Sequence, residues 1–380
     1  MALDETPGYL PILEKLIAFP SVSSNSNLDC IDYIEDFLIR HEFQTQRFYN
    51  SAENKANLIA RIGPERSGGL MLAGHSDVVP VTGQNWHSDP FQLLQSDQCL
   101  YGRGTADMKG FLALALCVAA EIDTAKLERP LYLAFTYDEE IGCHGAKALV
   151  QTLRELPAKP AFVLIGEPTD SALVSAHKGV RLMQTRLTGK AAHSSRPDLG
   201  ASTIVFASKL IAHLEELLPH EQDPAFEPPG STFNVGLIRG GAAVNIIPEH
   251  CEFQWEVRSL PNQDANAVEQ GLPGLVRNLS SSVPGVTVEH QVLSEVPGLR
   301  AGQNDHAIAR LAELMEQPAI TTAPFVTEGG IYQQAGIPAV ICGPGRVEEA
   351  HQPDESVNRA ALERFRLFLK KLVKTLENAE

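Results

Sequence analysis

Three short apolar runs in this chain stop abruptly at a histidine or a carboxylate, and that punctuation narrows the folds open to it. Residues 70–73 lead into Gly74 and His75, residues 131–137 into Asp138, Glu139 and Glu140, and residues 162–165 into Gly166 and Glu167. A fourth run, residues 339–342, is followed one loop later by His351. Uninterrupted apolar runs of this length read as strands buried on both faces. Residues 57–62 read as a further strand. Helical patterns lie between and around them. Residues 29–41 place Ile31, Ile34, Phe37 and Leu38 on one face, residues 111–122 are almost wholly apolar, and residues 145–156 and 361–376 are amphipathic. Strands alternating with helices predict an α/β fold, with a mixed, mostly parallel sheet and helices on both faces. In such sheets ligands gather at the carboxyl ends of the strands, where these polar residues fall.

The middle of the chain follows another rule. Residues 251–258 alternate apolar and polar side chains, as a half-exposed strand does. Residues 179–187 and 233–238 resemble them. Helices are expected over residues 201–218 and 265–279, then a strand near residues 286–292. This order predicts a four-stranded antiparallel sheet with both helices on one face. At 380 residues the chain suits two domains. The α+β unit is placed at residues 179–292, inserted between residues 1–178 and 293–380 of the larger domain. Residues 219–230, rich in proline and acids, read as a surface loop.

Composition excludes several functions. The formal net charge is −16 with no basic stripe, so neither nucleic acid nor an anionic membrane is expected as a partner. The longest apolar run, residues 111–120, is far short of a membrane span. Met1-Ala2-Leu3-Asp4-Glu5 lacks the basic region of a signal peptide, so a cytoplasmic location is expected. The six cysteines form no CxxC pair, and reduced, structural thiols are expected.

The polar stations are rich in metal donors. His75, Asp107, one of Glu139 and Glu140, Glu167 and His351 mix imidazole with carboxylate, a set that suits zinc, cobalt or manganese better than magnesium. Two cations roughly 3.5–4 Å apart can clamp one water and lower its pKa toward neutrality. Asp77, two residues after His75, is placed to accept a hydrogen bond from the far imidazole nitrogen. Of the adjacent Glu139 and Glu140, one can bind metal while the other serves as general base and then acid. Asp107 lies in the glycine-rich loop Gly102-Arg103-Gly104-Thr105-Ala106-Asp107-Met108-Lys109-Gly110, just before a helix.

At these stations the sequence resembles the M20 family of metallopeptidases and deacylases over nearly its whole length. The resemblance is carried by Ala73-Gly74-His75-Ser76-Asp77-Val78-Val79-Pro80, Tyr101 to Gly110, Thr136 to Glu140, and Gly166-Glu167-Pro168-Thr169. It continues in Ala191 to Gly200, Val244-Asn245-Ile246-Ile247-Pro248, and Gly343-Pro344-Gly345 through Ala350-His351-Gln352-Pro353-Asp354-Glu355. It implies two divalent ions, with zinc expected and cobalt able to substitute. His75 and Glu167 would hold one, Glu140 and His351 the other, and Asp107 both. It further implies that Asp77 supports His75, that Glu139 is the general base, and that the peptide bond after Asp107 is cis.

The same resemblance makes the inserted domain a lid or dimerisation domain and the protein a homodimer. His193 would then reach the partner subunit's site and stabilise an oxyanion there. Asn245 and Arg258 match substrate-holding positions, and Arg258 can grip an α-carboxylate bidentately. As plain sequence, Arg258 equally reads as a surface arginine at a strand end. Glu328-Gly329-Gly330 reads as a flexible loop where the family shapes substrate selection. Glu328 is there either to attract a cationic amine or as a solvated acid.

The implied activity is hydrolysis of a small N-acyl amino acid, with N2-acetyl-L-ornithine favoured by the run from Ala350 to Glu355 and arginine biosynthesis as the setting. Succinyl-diaminopimelate, other N-acyl amino acids and dipeptides stay open as substrates. So do an aminopeptidase that needs a free α-amine and a non-catalytic metal-dependent binding protein. No Gly-x-Ser-x-Gly elbow supports a serine nucleophile.

Overall fold

The computed structural model describes residues 8–156 and 158–377. The Met1–Glu5 stretch, on which the expectation of no leader rests, lies outside them. The chain divides into two units. One comprises residues up to Ala176, Leu299–Thr321 and residues from Thr327 onward; the other comprises His177–Gly298 and Thr322–Val326.

The first unit is built on an eight-stranded mixed sheet. In spatial order its strands are Gln44–Tyr49, Ala56–Ile62, Leu131–Thr136, Gly69–His75, Pro160–Ile165, Ala339–Ile341, Leu173–His177 and Ile320–Ala323. The four central strands, from Leu131–Thr136 to Ala339–Ile341, are parallel neighbours, so their carboxyl ends share one rim. Ala56–Ile62 joins them antiparallel. The strands Gly69–His75 and Leu131–Thr136 are buried at every position, which explains their lack of polar alternation.

Helix Lys109–Ala120 is buried almost all round, as a helix apolar on every face must be. It packs against helices Tyr9–Ile17 and Arg359–Lys374. Its Lys109 is fully buried, and the ammonium donates to the Leu16 and Phe19 carbonyls at 3.0 and 2.7 Å. A small sheet, Leu94–Gln95, Cys99–Tyr101 and Ser356–Asn358, lies in the same unit.

The second unit is a four-stranded antiparallel sheet ordered Thr232–Gly240, His250–Ser259, Gly179–Thr188, Thr287–Val296. Every second residue of the central strand, Cys251, Phe253, Trp255 and Val257, is buried. These side chains cluster with Phe206, Leu210 and Leu214 of helix Thr203–Leu214 and with Val268 and Leu272 of helix Ala267–Ser282. The expected boundary at residue 292 cuts through a strand that runs on to Val296, and the short segment Thr322–Val326 clusters with this unit rather than with the first.

Close backbone approach fixes the strand ends that carry the polar stations. A β-carbon on Gly166 would fall 1.9 Å from the ring of buried Phe111, and one on Gly343 would fall 2.2 Å from the Gly166 carbonyl. Neither neighbour can yield without moving the core. Gly166→Ala should therefore destabilise the protein by about 1–3 kcal/mol, the usual cost of overpacking. Urea unfolding measures this, and an unchanged midpoint would contradict the packing described.

Candidate active site

The rim of the parallel strands gathers the residues singled out above from the first unit. His75 is the last residue of its strand and pairs in register with Thr136 of the neighbouring strand. Glu139 and Glu140 follow that neighbour, Glu167 follows strand Pro160–Ile165, and His351 lies beyond Ala339–Ile341. Asp107 sits two residues before helix Lys109–Ala120, and the peptide bond after it is cis.

The two oxygens of Asp107 face different imidazoles. Oδ1 lies 3.0 Å from His75 Nε2, and Oδ2 lies 3.2 Å from His351 Nε2. Glu140 Oε2 is 3.0 Å from the same His351 nitrogen, and Glu167 Oε2 is 3.9 Å from His75 Nε2. Donor atoms of His75, Asp107 and Glu140 all fall within 4.8 Å of one another, as do those of His75, Glu139 and Glu167. These residues can hold divalent cations. The fit is supported by an orphan: Glu167 Oε1 is buried without a hydrogen-bond partner, although a buried carboxylate oxygen ordinarily has one.

Asp77 behaves differently from expectation. The near partner of His75 Nδ1 is the Asp77 backbone carbonyl at 2.9 Å, whereas its carboxylate Oδ1 is 3.6 Å away. The carboxylate is drawn off by other donors. It accepts the Glu139 and Glu140 backbone N–H groups at 3.1 and 3.4 Å and the Ser23 hydroxyl at 2.7 Å. Asp77 thus fixes the turn that presents both glutamates. Asp138 turns away to pair with Lys55.

The electrostatics are those of crowded negative charge. Burial pushes the Glu167 carboxyl well above its usual range, and Asp107 adds to the effect. Glu139 is likewise pushed well up by burial, with Glu140, Asp107 and Glu328 adding and His75 opposing. Glu140 rises to about 6, again chiefly through burial. Burial would raise Asp107 too, but hydrogen bonds from His351 and His75 outweigh it and hold its carboxyl low. Burial would lower His75, yet Asp107 and Glu167 keep it well above the usual imidazole range. Bonds to Asp107 and Glu140 lift His351 to about 10. A bound cation reverses this logic by favouring ionised carboxylates and neutral imidazoles.

The Glu328 environment corrects the reading of a flexible loop. Glu328 is 0 % exposed and immediately precedes helix Gly329–Gln334, whose Gly329 and Gly330 are buried as well. Its Oε1 accepts the Thr136 hydroxyl at 2.5 Å, Oε2 has no partner, and burial raises its carboxyl to about 7. No sequence pattern marked the burial of Glu328 or its bond to Thr136.

His193, Asn245 and Arg258 belong to the second unit. His193 is exposed, and its Nδ1 accepts the Ser195 backbone N–H at 3.2 Å. The same Nδ1 lies 2.8 Å from the Ser195 hydroxyl, so Ser195 holds this edge of the ring. Asn245 is exposed in a turn, and its carbonyl accepts from Ser194 N–H at 3.1 Å. Arg258 donates from Nε to Glu256 Oε1 at 2.9 Å and from Nη2 to Oε2 at 3.4 Å, so an internal carboxylate already occupies its fork.

The chain is similar to known proteins. The family model described as peptidase family M20/M25/M40 matches residues 71–375. The acetylornithine deacetylase of Photorhabdus laumondii is 36% identical over 97% of both chains. That of Proteus mirabilis is 33% identical over 98% of both. Among solved structures, an M20 family metallo-carboxypeptidase from Sulfolobus solfataricus superposes with a TM-score of 0.81 at 18% identity, covering 99% of this chain and 100% of that one. A dinuclear metal-binding M20 peptidase from Bacillus subtilis gives 0.72 at 16% identity, covering 97% and 98%. With this family match and these relatives together, the chain belongs to peptidase family M20/M25/M40 and is a metal-dependent amidohydrolase.

Proposed function

We propose that the protein removes the acetyl group from N2-acetyl-L-ornithine, giving L-ornithine and acetate, as a zinc enzyme in which cobalt can substitute. The observation that carries the two-cation site is Asp107, whose oxygens face His75 on one side and His351 on the other. The substrate rests on relatives named acetylornithine deacetylase that align over nearly the full chain. We place the reaction in arginine biosynthesis and in the cytoplasm. The absence of disulfides among the described cysteines fits a reducing compartment, and no helix among the described residues is long and apolar enough to cross a membrane.

In this reading His75 and Glu167 would hold one cation, Glu140 and His351 the other, and Asp107 both. The cations, when bound, supply Lewis-acid polarisation of the acyl oxygen and lower the pKa of water toward neutrality. Glu140, not Glu139, lies against His351, and proton transfer is assigned to Glu139. The Cys143 thiol occupies Glu139 Oε1 at 3.4 Å, so Oε2 takes the proton of the attacking water. Glu139 then returns that proton to the leaving nitrogen. His193 Nε2–H is the oxyanion donor, acting on the partner subunit's site. Arg258 takes the substrate carboxylate after releasing Glu256, and Asn245 contributes a further polar contact. Glu328, whose charge bears on Glu139, shapes substrate selection together with the buried Gly329 and Gly330.

The homodimer is supported by the edge strand Thr232–Gly240 and the turn after it, where Leu237, Ile238, Val244 and Ile246 are exposed. An apolar edge strand invites a second copy.

Three outcomes test this reading. Glu139→Gln should keep two cations per chain, by atomic absorption, while kcat falls by about 10²–10⁴. Loss of the cations from that variant would reassign Glu139 as a ligand. A panel of acylated amino acids and dipeptides, run on metal-stripped protein restored with zinc, cobalt or manganese, should give its highest kcat/KM with N2-acetyl-L-ornithine. A preference for succinyl-diaminopimelate or free dipeptides would replace the substrate named here. Finally, His193→Ala should be inactive alone but recover turnover when mixed with inactive Glu139→Gln, because a mixed dimer holds one complete site. Failure to complement, with the dimer confirmed by sedimentation, would return His193 to its own subunit.

A further inference from the structure

A second polar assembly ties the loop of Asp107 to the loop of His351, and the chemistry above makes no use of it. Glu355 and Arg103 are each 1 % exposed. Glu355 Oε1 accepts two consecutive backbone donors, Ala106 N–H at 2.9 Å and Asp107 N–H at 3.0 Å. Its Oε2 accepts Arg103 Nη1 at 2.7 Å. The Glu355 carbonyl accepts from Gly102 N–H at 3.0 Å and the Thr105 hydroxyl at 3.2 Å. Arg103 continues outward: Nη2 donates to Gln84 Oε1 at 2.5 Å, and its guanidinium lies 5.0 Å from the centre of the Trp86 ring. Gln84 Nε2 completes the chain by donating to the carbonyl of His351 itself at 2.8 Å.

This path begins at the backbone of one candidate ligand and ends at the backbone of another. Both ends need holding. Asp107 must present its two oxygens in two directions at once. His351 has φ +62°, a conformation that side-chain-bearing residues adopt only when their surroundings insist on it. A buried ion pair is a poor stabiliser unless further hydrogen bonds complete it. Here those bonds go almost entirely to the two ligand loops, which points to placement as its role.

We propose that Glu355 is a positioning residue that, through Arg103 and Gln84, sets Asp107 and His351 jointly, so that the two cation sites are built as one unit. The proposal rests on the two-cation reading above. It makes two unequal predictions. Glu355→Gln loses the anion that accepts both amides and the guanidinium, and it acts through Asp107, which serves both cations. Each site should then weaken, by roughly the 10–100-fold seen when ligand-supporting groups are removed. Gln84→Ala cuts only the last link, so it should weaken the site shared by Glu140 and His351 and leave the His75 and Glu167 site at its wild-type affinity.

The measurement is Zn²⁺ titration of metal-stripped protein against a chromophoric chelator, with circular dichroism as the check on folding. Should Glu355→Gln fail to fold, half-exposed Gln84 carries the test alone. Wild-type protein that binds two ions, with both variants losing affinity in the unequal pattern described, supports the clamp. Two ions bound as in wild type by both variants overturn it alone, as does equal weakening of both sites in Gln84→Ala. Wild-type protein that binds fewer than two ions overturns the two-cation reading and the clamp with it.

Discussion

Repulsion among carboxylates is the constraint around which the first unit is arranged. Asp77, Asp107, Glu139, Glu140 and Glu167 are drawn to one rim of one sheet, with two imidazoles between them. A pair of like charges about 4 Å apart costs about 4 kcal/mol at an effective dielectric of 20, a large share of the roughly 5–15 kcal/mol that holds a whole domain together. Rigid parallel strands, glycines that admit no side chain, and a buried helix at the Asp107 turn hold these groups against that force. Divalent cations turn the same crowding from a liability into affinity, which is why such a cluster persists on so stiff a frame.

Much of this was legible in the chain. A strand buried on both faces must be apolar throughout, so the first polar residues after it mark the rim. His75, Glu139, Glu140 and Glu167 could be placed there without coordinates. The second unit was equally readable, because Cys251, Phe253, Trp255 and Val257 alternate with polar neighbours along one strand. The edge strand Gln44–Tyr49 escaped notice because its largely polar, partly exposed residues carry no buried face to announce it.

The polar supports were hidden for a different reason. Gln84, Arg103 and Glu355 act across long loops, and a loop has no periodicity from which to infer partners. Asp77 was read as a direct support of His75 because spacing alone cannot tell a side-chain acceptor from a main-chain one. Two backbone amides and Ser23 decided the matter. The pair of glycines after Glu328 looked like slack, yet both are buried at the start of a helix. In each case the missing information was tertiary: which donors compete for the same oxygen.

The insertion of the second unit between strand Leu173–His177 and the return of the chain at Leu299 has a consequence in time. During synthesis His75, Asp107, Glu139, Glu140 and Glu167 emerge early, while His351 and Glu355 emerge only after the whole intervening unit has been made. A nascent chain therefore carries a dense acidic cluster with only one of its two imidazoles for as long as the ribosome takes to finish. The candidate ligand set is complete only once that final segment has been made.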